Sequence, residues 1–255
     1  MQLSEAIADA EAAYRERDYP RCIRTLHGAF MDNLGFFEAE AARYASSVPV
    51  SDRSQFWTVS TDFYPDAEKV ESIFDFIYAR AVWGGGSGAG SDLSRTVLYV
   101  AYVQALMDKR DVRSVLDLGC GDWRFSRYLD FSGRDYIGFD VVPSVVAANR
   151  AAFGASNIRF EQADLSTYPA FPECDLILCK DVLQHLSNAR VSAILSKCGV
   201  ARRALITNDY HPQNLDCRDG ETRPLDVTTP PFGLPARPVL RFGRKVSFLS
   251  EHAAR

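Results

Sequence analysis

The chain has 255 residues, of which 47% are hydrophobic and 24% are charged, and its formal net charge is −4. This length suits one large α/β domain with an appendage or two small domains, and the slight acidity argues against a general nucleic-acid-binding protein. No apolar run approaches the roughly 20 residues that a membrane helix needs, and no secretory signal is evident. The sequence therefore predicts a cytoplasmic protein that binds neither nucleic acid nor membrane.

The first third of the chain is predicted to be helical. Alanine and leucine at helical spacing predict a helix over residues 3–17, and Asp18-Tyr19-Pro20 predicts its end. Further helices are predicted over residues 20–34 and 66–82. We expect residues 1–82 to form a helical lid or an oligomerisation region, which leaves a homo-oligomer open. A peptide-binding helical repeat is disfavoured because the pattern occurs once.

A glycine-rich segment, Trp83-Gly-Gly-Gly-Ser-Gly-Ala-Gly-Ser91, follows these helices. Such a segment is either a flexible linker or a loop whose backbone can approach a ligand closely. A linker rarely starts with tryptophan, and a strong helix is predicted directly afterwards, over residues 93–107. We therefore favour a ligand-approaching loop at residues 84–90 and name Trp83 as a substrate contact.

From Asp111 onward, predicted strands alternate with predicted helices. Alternation of this kind implies parallel pairing in a doubly wound, Rossmann-like α/β sheet. Two last strands flank Gly243-Arg244, which predicts an antiparallel hairpin at the end of a domain covering residues 83–255. The predicted strands are 114–118, 136–140, 158–163, 174–179, 204–207, 239–242 and 245–249, and the predicted helices are 123–129, 145–153 and a helix from 182 or later to 198.

The loop after the first predicted strand reads Asp117-Leu-Gly119-Cys120-Gly121-Asp122. Its glycines let the backbone lie against a ligand, and Asp117 can accept a hydrogen bond from a cationic amine. A dinucleotide fingerprint needs a glycine three residues after Gly121, where Arg124 stands instead. The loop therefore favours a ligand with an ammonium group over one with a pyrophosphate.

Acidic residues follow the next two predicted strands. Asp140 lies 19 residues after Gly121, where an acid can accept both hydroxyls of a ribose. The alternative for Asp140 is a helix cap or turn before Pro143. Asp164 stands in the corresponding place, directly after the third predicted strand.

Together with the segment Cys179-Lys-Asp-Val-Leu-Gln-His185, these loops resemble the class I S-adenosylmethionine-dependent methyltransferases over about residues 112–210. The resemblance implies S-adenosylmethionine as the cofactor, with the first loop around its methionine part and the loop after the fourth strand near its methyl group. It also implies that an acid after the third strand meets the adenine amino group. The cofactor-binding residues that it implies are Asp117, Gly119, Cys120, Gly121, Asp140, Val141, Asp164, Leu165 and Lys180.

Transfer of a methyl group to a hydroxyl is assisted by a general base. His185 is the leading catalytic candidate because histidine titrates near neutrality, although a histidine here can also serve packing alone. Asp181 is the second candidate. With Asn208 and Asp209 it could hold a divalent cation such as Mg²⁺ through oxygen ligands, but we favour a hydrogen-bonded scaffold without metal.

Polar residues after the fifth predicted strand indicate a polar acceptor. The substrate contacts that we predict are Trp83, Asn208, Asp209, His211 and Arg223, the last with a surface salt bridge as its alternative. Segments 206–214 and 219–226 resemble a little-characterised bacterial group of methyltransferases, which implies glycan, capsule or natural-product methylation. We therefore expect O-methylation of a sugar, a glycan or a phosphorylated derivative. N-methylation of a small molecule and a non-catalytic partner-binding protein are the alternatives.

Overall fold

The computed structural model of the chain describes residues 2–51 and 69–252. Helices and strands follow the order expected of an α/β protein. They are α1 (Leu3–Arg15), α2 (Tyr19–Ser47), α3 (Val70–Ala79), α4 (Leu93–Lys109), β1 (Ser114–Leu118), β2 (Asp135–Asp140), α5 (Pro143–Phe153), β3 (Ile158–Gln162), β4 (Cys174–Lys180), α6 (Asn188–Leu195), β5 (Ala201–Asp209), β6 (Arg237–Phe242) and β7 (Lys245–Glu251).

These strands form one seven-stranded sheet in the order β3-β2-β1-β4-β5-β7-β6. The first five strands are parallel, and β7 lies antiparallel to both β5 and β6. The predicted fold class and the hairpin at Gly243-Arg244 are confirmed. Strand order reverses between β1 and β4, and ligands of doubly wound sheets bind at such a reversal.

One helix prediction was wrong, and another helix ends earlier than predicted. Residues 123–129 form turns and a single 3₁₀ turn at Ser126–Tyr128, with Trp123 in the left-handed region at φ 53°. The Trp123 indole is buried against Phe131 and Phe153, with ring centroids 6.0 and 4.9 Å away, so tertiary packing overrides helical spacing. The helix predicted to run to residue 198 is only α6, preceded by a single turn at Leu183–His185.

The N-terminal helices differ in extent from their predictions. α2 starts at Tyr19 with Pro20 in its first turn, and it continues to Ser47 through a kink at Asn33. A proline there is tolerated because the first backbone N–H groups of a helix have no partner within it. Of the helix predicted over residues 66–82, residues 66–68 lie outside the described residues. Among the described helices, none is long and apolar enough to cross a membrane.

The hydrophobic core lies on both faces of the sheet. On one face, α1 and α2 share a buried cluster with α4 and the central strands. The Phe30 ring of α2 is fully buried and meets the Tyr102 ring of α4 edge to face at 5.4 Å. α2 is further tied to the sheet by the Tyr210 hydroxyl, which donates to the Ala45 carbonyl at 2.9 Å. These contacts place the N-terminal helices against the main domain, while the boundary at residue 82 stays a prediction.

Candidate active site

A cavity of about 1200 Å³ lies at the carboxyl ends of the parallel strands. This exceeds the roughly 300–1,000 Å³ of an ordinary small-molecule site, which leaves room for a cofactor and a second reactant. The structure brings every sequence-predicted cofactor residue to this cavity, together with four of the other predicted site residues. Its lining includes Asp117, Gly119, Cys120, Gly121, Asp140, Val141, Asp164, Leu165 and Lys180, as well as Trp83, Asp181, His185 and Asp209.

The glycine loop is held tightly from two sides. Gly119 and Gly121 have φ values of 73° and 55°, which favour glycine. A Cβ on Gly119 would lie 2.4 Å from Cγ2 of Val182, and one on Gly121 would lie 2.2 Å from Oγ of Ser87. Both positions therefore require glycine for space as well as for backbone conformation.

Two buried carboxylates flank this loop. Oδ2 of Asp117 accepts hydrogen bonds from Tyr136 Oη at 2.8 Å and Ser126 Oγ at 3.3 Å, yet burial raises the pKa of Asp117 to about 6. Asp140 accepts the N–H groups of Gly121 at 2.9 Å and Val142 at 3.0 Å, and burial raises its pKa as well. Buried carboxylates of this kind would be stabilised by a cationic or hydroxyl-bearing ligand.

Asp164 is held differently from these two acids. Its Oδ1 accepts hydrogen bonds from the Ser166 N–H at 2.9 Å and hydroxyl at 2.7 Å, and its Oδ2 lies 3.2 Å from an Arg190 guanidinium nitrogen. Burial alone would raise the pKa of Asp164, but these hydrogen bonds and the arginine outweigh it and hold the pKa below its usual value. Asp164 is therefore a charged acceptor at one end of the cavity.

A row of five charged side chains crosses the ends of β4, β5 and β7. Lys180 lies 2.5 Å from one oxygen of Asp181, and Lys245 lies 2.6 Å from the other. Lys245 also donates to Asp209 at 2.9 Å, and Arg244 completes the row at 3.1 Å from Asp209. We call these five residues the charged row. All of them line the cavity.

The charged row alters two sequence-based interpretations. Burial would raise the pKa of Asp181, but Lys180 and Lys245 outweigh it and lower the pKa to about 2. A carboxylate with this pKa is a poor proton acceptor at neutral pH, so we do not retain Asp181 as a base. The position between Asp181 and Asp209, which a divalent cation would need, is occupied by the Lys245 ammonium.

His185 has the surroundings of an oriented base. Its ring lies against the indole of Trp83, with centroids 4.7 Å apart and planes 31° apart. Nδ1 is 2.9 Å from the carbonyl oxygen of Glu221, which can only accept, so this network assigns the proton to Nδ1 and a lone pair to Nε2. Nε2 lies 3.3 Å from the side-chain nitrogen of Gln184, a long contact that a substrate hydroxyl can replace. Burial lowers the pKa of His185 and keeps the ring neutral at pH 7.

Three predicted substrate contacts do not belong to the cavity lining that the described residues provide. Asn208 accepts the Gln184 N–H at 3.2 Å, and Nδ1 of the fully buried His211 accepts the Gln213 N–H at 3.1 Å. Arg223 donates to the Leu186 carbonyl at 2.9 Å and is buried, which also differs from a surface salt bridge. These side chains hold together the loops after β4 and β5.

The glycine-rich segment covers the glycine loop. We call residues 84–91 the glycine strap. Ser87 Oγ accepts the Asp122 N–H at 2.8 Å, at the centre of the strap. Arg124 donates to the Gly85 carbonyl at 3.3 Å, and Lys180 donates to the Gly90 carbonyl at 3.1 Å. The strap is therefore fastened near both ends and in the middle. In the sequence, the serine at position 87 within the glycine run was the only indication of this fastening.

Sequence reasoning also missed an apolar wall of the cavity. α1 and α2 contribute Ile7, Tyr14, Leu26 and Phe37 to the lining, and α3 contributes Phe74 and Tyr78. Apolar residues at helical spacing look the same whether they face a core or a ligand, so their pattern carried no signal for a site. Helices α1 to α3 of the predicted lid region therefore line the same cavity as His185 and the charged row.

Comparisons with known proteins agree with this geometry. Residues 115–203 match the family model described as a methyltransferase domain, while no curated protein sequence matches the chain. The solved structure of human N-acetylserotonin methyltransferase in complex with SAM is 14% identical, with a TM-score of 0.50 over 90% of this chain and 70% of that one. Magnesium protoporphyrin IX methyltransferase from Synechocystis with bound SAM is 17% identical, with a TM-score of 0.50 over 74% of this chain and 99% of that one.

The two solved structures show a shared fold. The family match shows more, because it spans β1 to the start of β5, the strands whose loops surround the cavity. Residues 115–203 are therefore similar to a methyltransferase domain, within a chain that has the fold of S-adenosylmethionine-dependent methyltransferases.

Proposed function

We propose that the protein transfers the methyl group of S-adenosylmethionine to a hydroxyl oxygen of a small acceptor, with His185 as the general base. One observation carries this proposal. The imidazole of His185 is fixed by the Glu221 carbonyl in the tautomer that leaves Nε2 basic, and it borders the same cavity as the glycine loop. A base with this orientation suits an acceptor that loses a proton.

The residues at the ends of β1, β2 and β3 would hold the cofactor in this proposal. Asp117 would accept the methionine ammonium, which compensates its buried charge, and Asp140 would accept the ribose hydroxyls on lone pairs that its two backbone hydrogen bonds leave free. Asp164 would accept the adenine amino group, with Leu165 against the ring. Val141 would border the ribose. The glycine loop, including Cys120, surrounds the methionine part, and Lys180 supports the glycine strap above it.

The acceptor half of the cavity combines polar and apolar surfaces. The charged row and His185 supply polar lining, and the apolar wall lines the same cavity. This combination suits a hydroxyl on a molecule with an apolar part, such as a glycoside or a sugar whose ring stacks on Trp83. It favours O-methylation over N-methylation of a cationic amine, because Lys245 already neutralises the carboxylates of Asp181 and Asp209.

The transfer itself conserves atoms and charge. S-adenosylmethionine, when bound, would supply the methyl group to the acceptor oxygen and would keep the electron pair of its carbon–sulfur bond, leaving as S-adenosylhomocysteine. Nε2 of His185 takes the hydroxyl proton. General-base assistance of this kind contributes about 10²–10⁴-fold to the rate.

Two measurements test the proposal. Calorimetry compares S-adenosylmethionine, S-adenosylhomocysteine and NAD as ligands, and tight NAD binding without a response to the other two would remove the cofactor assignment. Transfer of radiolabelled methyl is then measured to a panel of sugars, glycosides, sugar phosphates, phenols and amines. Labelling of amines alone would favour N-methylation, and no labelling despite cofactor binding would favour a partner-binding protein.

His185→Ala tests the base within the same assay. We expect unchanged binding of S-adenosylhomocysteine and a fall in turnover of about 10²–10⁴-fold. The matched control is His27→Ala, since His27 lies on α2, pairs with Asp108 at 2.8 Å and is not among the residues that line the cavity. Equal turnover of the two variants would exclude His185 as the base.

A further inference from the structure

Lys245 occupies a position that the methyl-transfer scheme above leaves unused. Its Nζ lies between Asp181 Oδ1 at 2.6 Å and Asp209 Oδ1 at 2.9 Å, and its side chain is 16% exposed on the lining of the cavity. An ammonium group has three N–H donors, and these contacts use two. The third has no hydrogen-bond partner within residues 2–51 and 69–252.

The fold produces this position directly. In the antiparallel pairing of β5 and β7, Lys245 stands opposite Asp209 at the last paired position. Asp181 reaches the same point from the end of β4, with its backbone in the left-handed region at φ 59°. Aspartate is among the few non-glycine residues that adopt this conformation singly, and the ion pairs with Lys180 and Lys245 hold the Asp181 carboxylate in place.

The ammonium remains charged in this setting. Burial would lower the pKa of Lys245, but Asp181 and Asp209 outweigh burial and raise it. The outer oxygens of the two carboxylates are taken by Lys180 and Arg244. Burial lowers the pKa of Lys180, whereas Lys245 keeps its charge between the two carboxylates at the surface of the cavity.

We propose that Lys245 is a catalytic residue that stands where a divalent cation held by two carboxylates would stand and donates its third N–H to the acceptor oxygen. This inference rests on the proposed O-methyl transfer. The donated hydrogen bond makes the acceptor hydroxyl more acidic and stabilises the negative charge that develops as the proton moves to Nε2 of His185. The ether oxygen formed after the transfer carries no such charge and binds the ammonium less strongly, which helps product release.

A purely structural role for Lys245 is the competing explanation. In that case the charged row only ties together the ends of β4, β5 and β7, and removing Lys245 lowers stability without a separate effect on chemistry. The two explanations differ in whether turnover falls more than stability does.

The first test uses Mn²⁺ alone as a probe of the space between the two carboxylates. Calorimetry and electron paramagnetic resonance measure Mn²⁺ binding to wild type, Lys245→Ala and the double variant Lys245→Ala/Asp209→Asn. We expect binding only to Lys245→Ala, because two carboxylates without their ammonium form an oxygen site for a divalent cation. Absence of binding to Lys245→Ala, or equal binding to wild type, overturns the proposal.

The second test separates chemistry from cofactor binding. With an acceptor found in the panel above, Lys245→Ala is expected to lose about 10²–10³-fold in kcat, as enzymes do when one donor to a developing oxyanion is removed, and Lys245→Arg to recover part of it. Binding of S-adenosylhomocysteine is expected to remain close to that of wild type, because Lys245 is not among the residues assigned to the cofactor. The control is Lys109→Ala on the exposed end of α4.

The outcomes distinguish the two proposals. A kcat for Lys245→Ala equal to that of Lys109→Ala overturns the role of Lys245. If wild type fails to bind S-adenosylhomocysteine, the proposed function fails, while the Mn²⁺ measurement still decides whether Lys245 replaces a cation.

Discussion

The contact between the glycine strap and the glycine loop makes a quantitative prediction for Gly121→Ala. The added Cβ would lie 2.2 Å from Oγ and 3.1 Å from Cβ of Ser87. Ser87 must then move, and it gives up the hydrogen bond that it accepts from Asp122 and its 2.8 Å contact with the Tyr78 hydroxyl. The strap is displaced from the place where we expect the methionine part of the cofactor.

The cost can be divided into two parts. The left-handed backbone of residue 121 costs about 1–2 kcal/mol once a Cβ is present. Each lost hydrogen bond of the strap costs about 0.5–1.5 kcal/mol. The first part falls on folding alone, whereas the second falls on the closed strap and hence on cofactor binding. Losing both hydrogen bonds, about 1–3 kcal/mol in total, corresponds to about a 5- to 140-fold weaker affinity for S-adenosylhomocysteine.

Gly133→Ala is the matched control for the backbone part. Gly133 has φ 69°, and a Cβ there meets no atom within 4 Å. We expect both variants to lose similar backbone free energy in urea denaturation, and only Gly121→Ala to lose affinity in calorimetry with S-adenosylhomocysteine. Adding Ser87→Gly to Gly121→Ala removes the clash and is expected to restore part of the affinity.

Two results would refute this reasoning. Affinities of Gly121→Ala and Gly133→Ala that agree within experimental error would show that the strap does not act on the cofactor. Failure of Ser87→Gly to improve Gly121→Ala would place the cost in the glycine loop itself.

Three further predictions concern charge. Burial raises the folded-state pKa of Asp117 to about 6, so the free energy of unfolding falls as pH rises from about 4 to 6. In urea denaturation without ligand, Asp117→Asn is therefore expected to be about 3 kcal/mol more stable than wild type at pH 7 and equally stable near pH 4. Arg124→Gln removes the donor to the strap and is expected to weaken S-adenosylhomocysteine binding about 3- to 10-fold, whereas Arg127→Gln, an exposed neighbour, leaves it unchanged. Turnover is expected to persist in excess EDTA, because the Lys245 ammonium bridges the two carboxylates.

Each of these has an opposite outcome. A difference between Asp117→Asn and wild type that does not change with pH would contradict a buried, titrating carboxylate. Equal affinities of the two arginine variants would show that Arg124 does not hold the strap closed. Loss of turnover on chelation, with recovery on adding Mg²⁺, would contradict the role given to Lys245.

The cofactor half of the site was predictable because its residues are local to strand ends. Gly119, Gly121 and Asp140 each follow a strand that hydrophobic pattern identifies, and parallel strands bring their carboxyl ends to one edge. The spacing between Gly121 and Asp140 therefore indicated that both residues lie at the same edge of the sheet. No knowledge of side-chain packing was needed to place these residues on one cavity.

The acceptor half was less predictable because residue type does not reveal direction. Asn208, His211 and Arg223 have suitable chemistry and lie near the end of β5, but each side chain binds neighbouring loop atoms. Conversely, Ile7 and Phe37 come from helices far away in the chain and reach the cavity only through tertiary packing. The polar residues after β5 therefore predicted a polar acceptor, whereas the cavity also has an apolar wall.

The hairpin shows how a cavity residue such as Lys245 can still be inferred from sequence. The tight turn at Gly243-Arg244 sets the register of β7 against β6, and the alternation of buried side chains favours one register of β7 against β5. In the register that the structure has, Lys245 stands opposite Asp209. A basic residue directly after this turn and acidic residues at the ends of β4 and β5 therefore predict an internal ion pair in place of a metal site. Testing Lys245 also tests whether this register argument can identify metal-independent active sites from sequence.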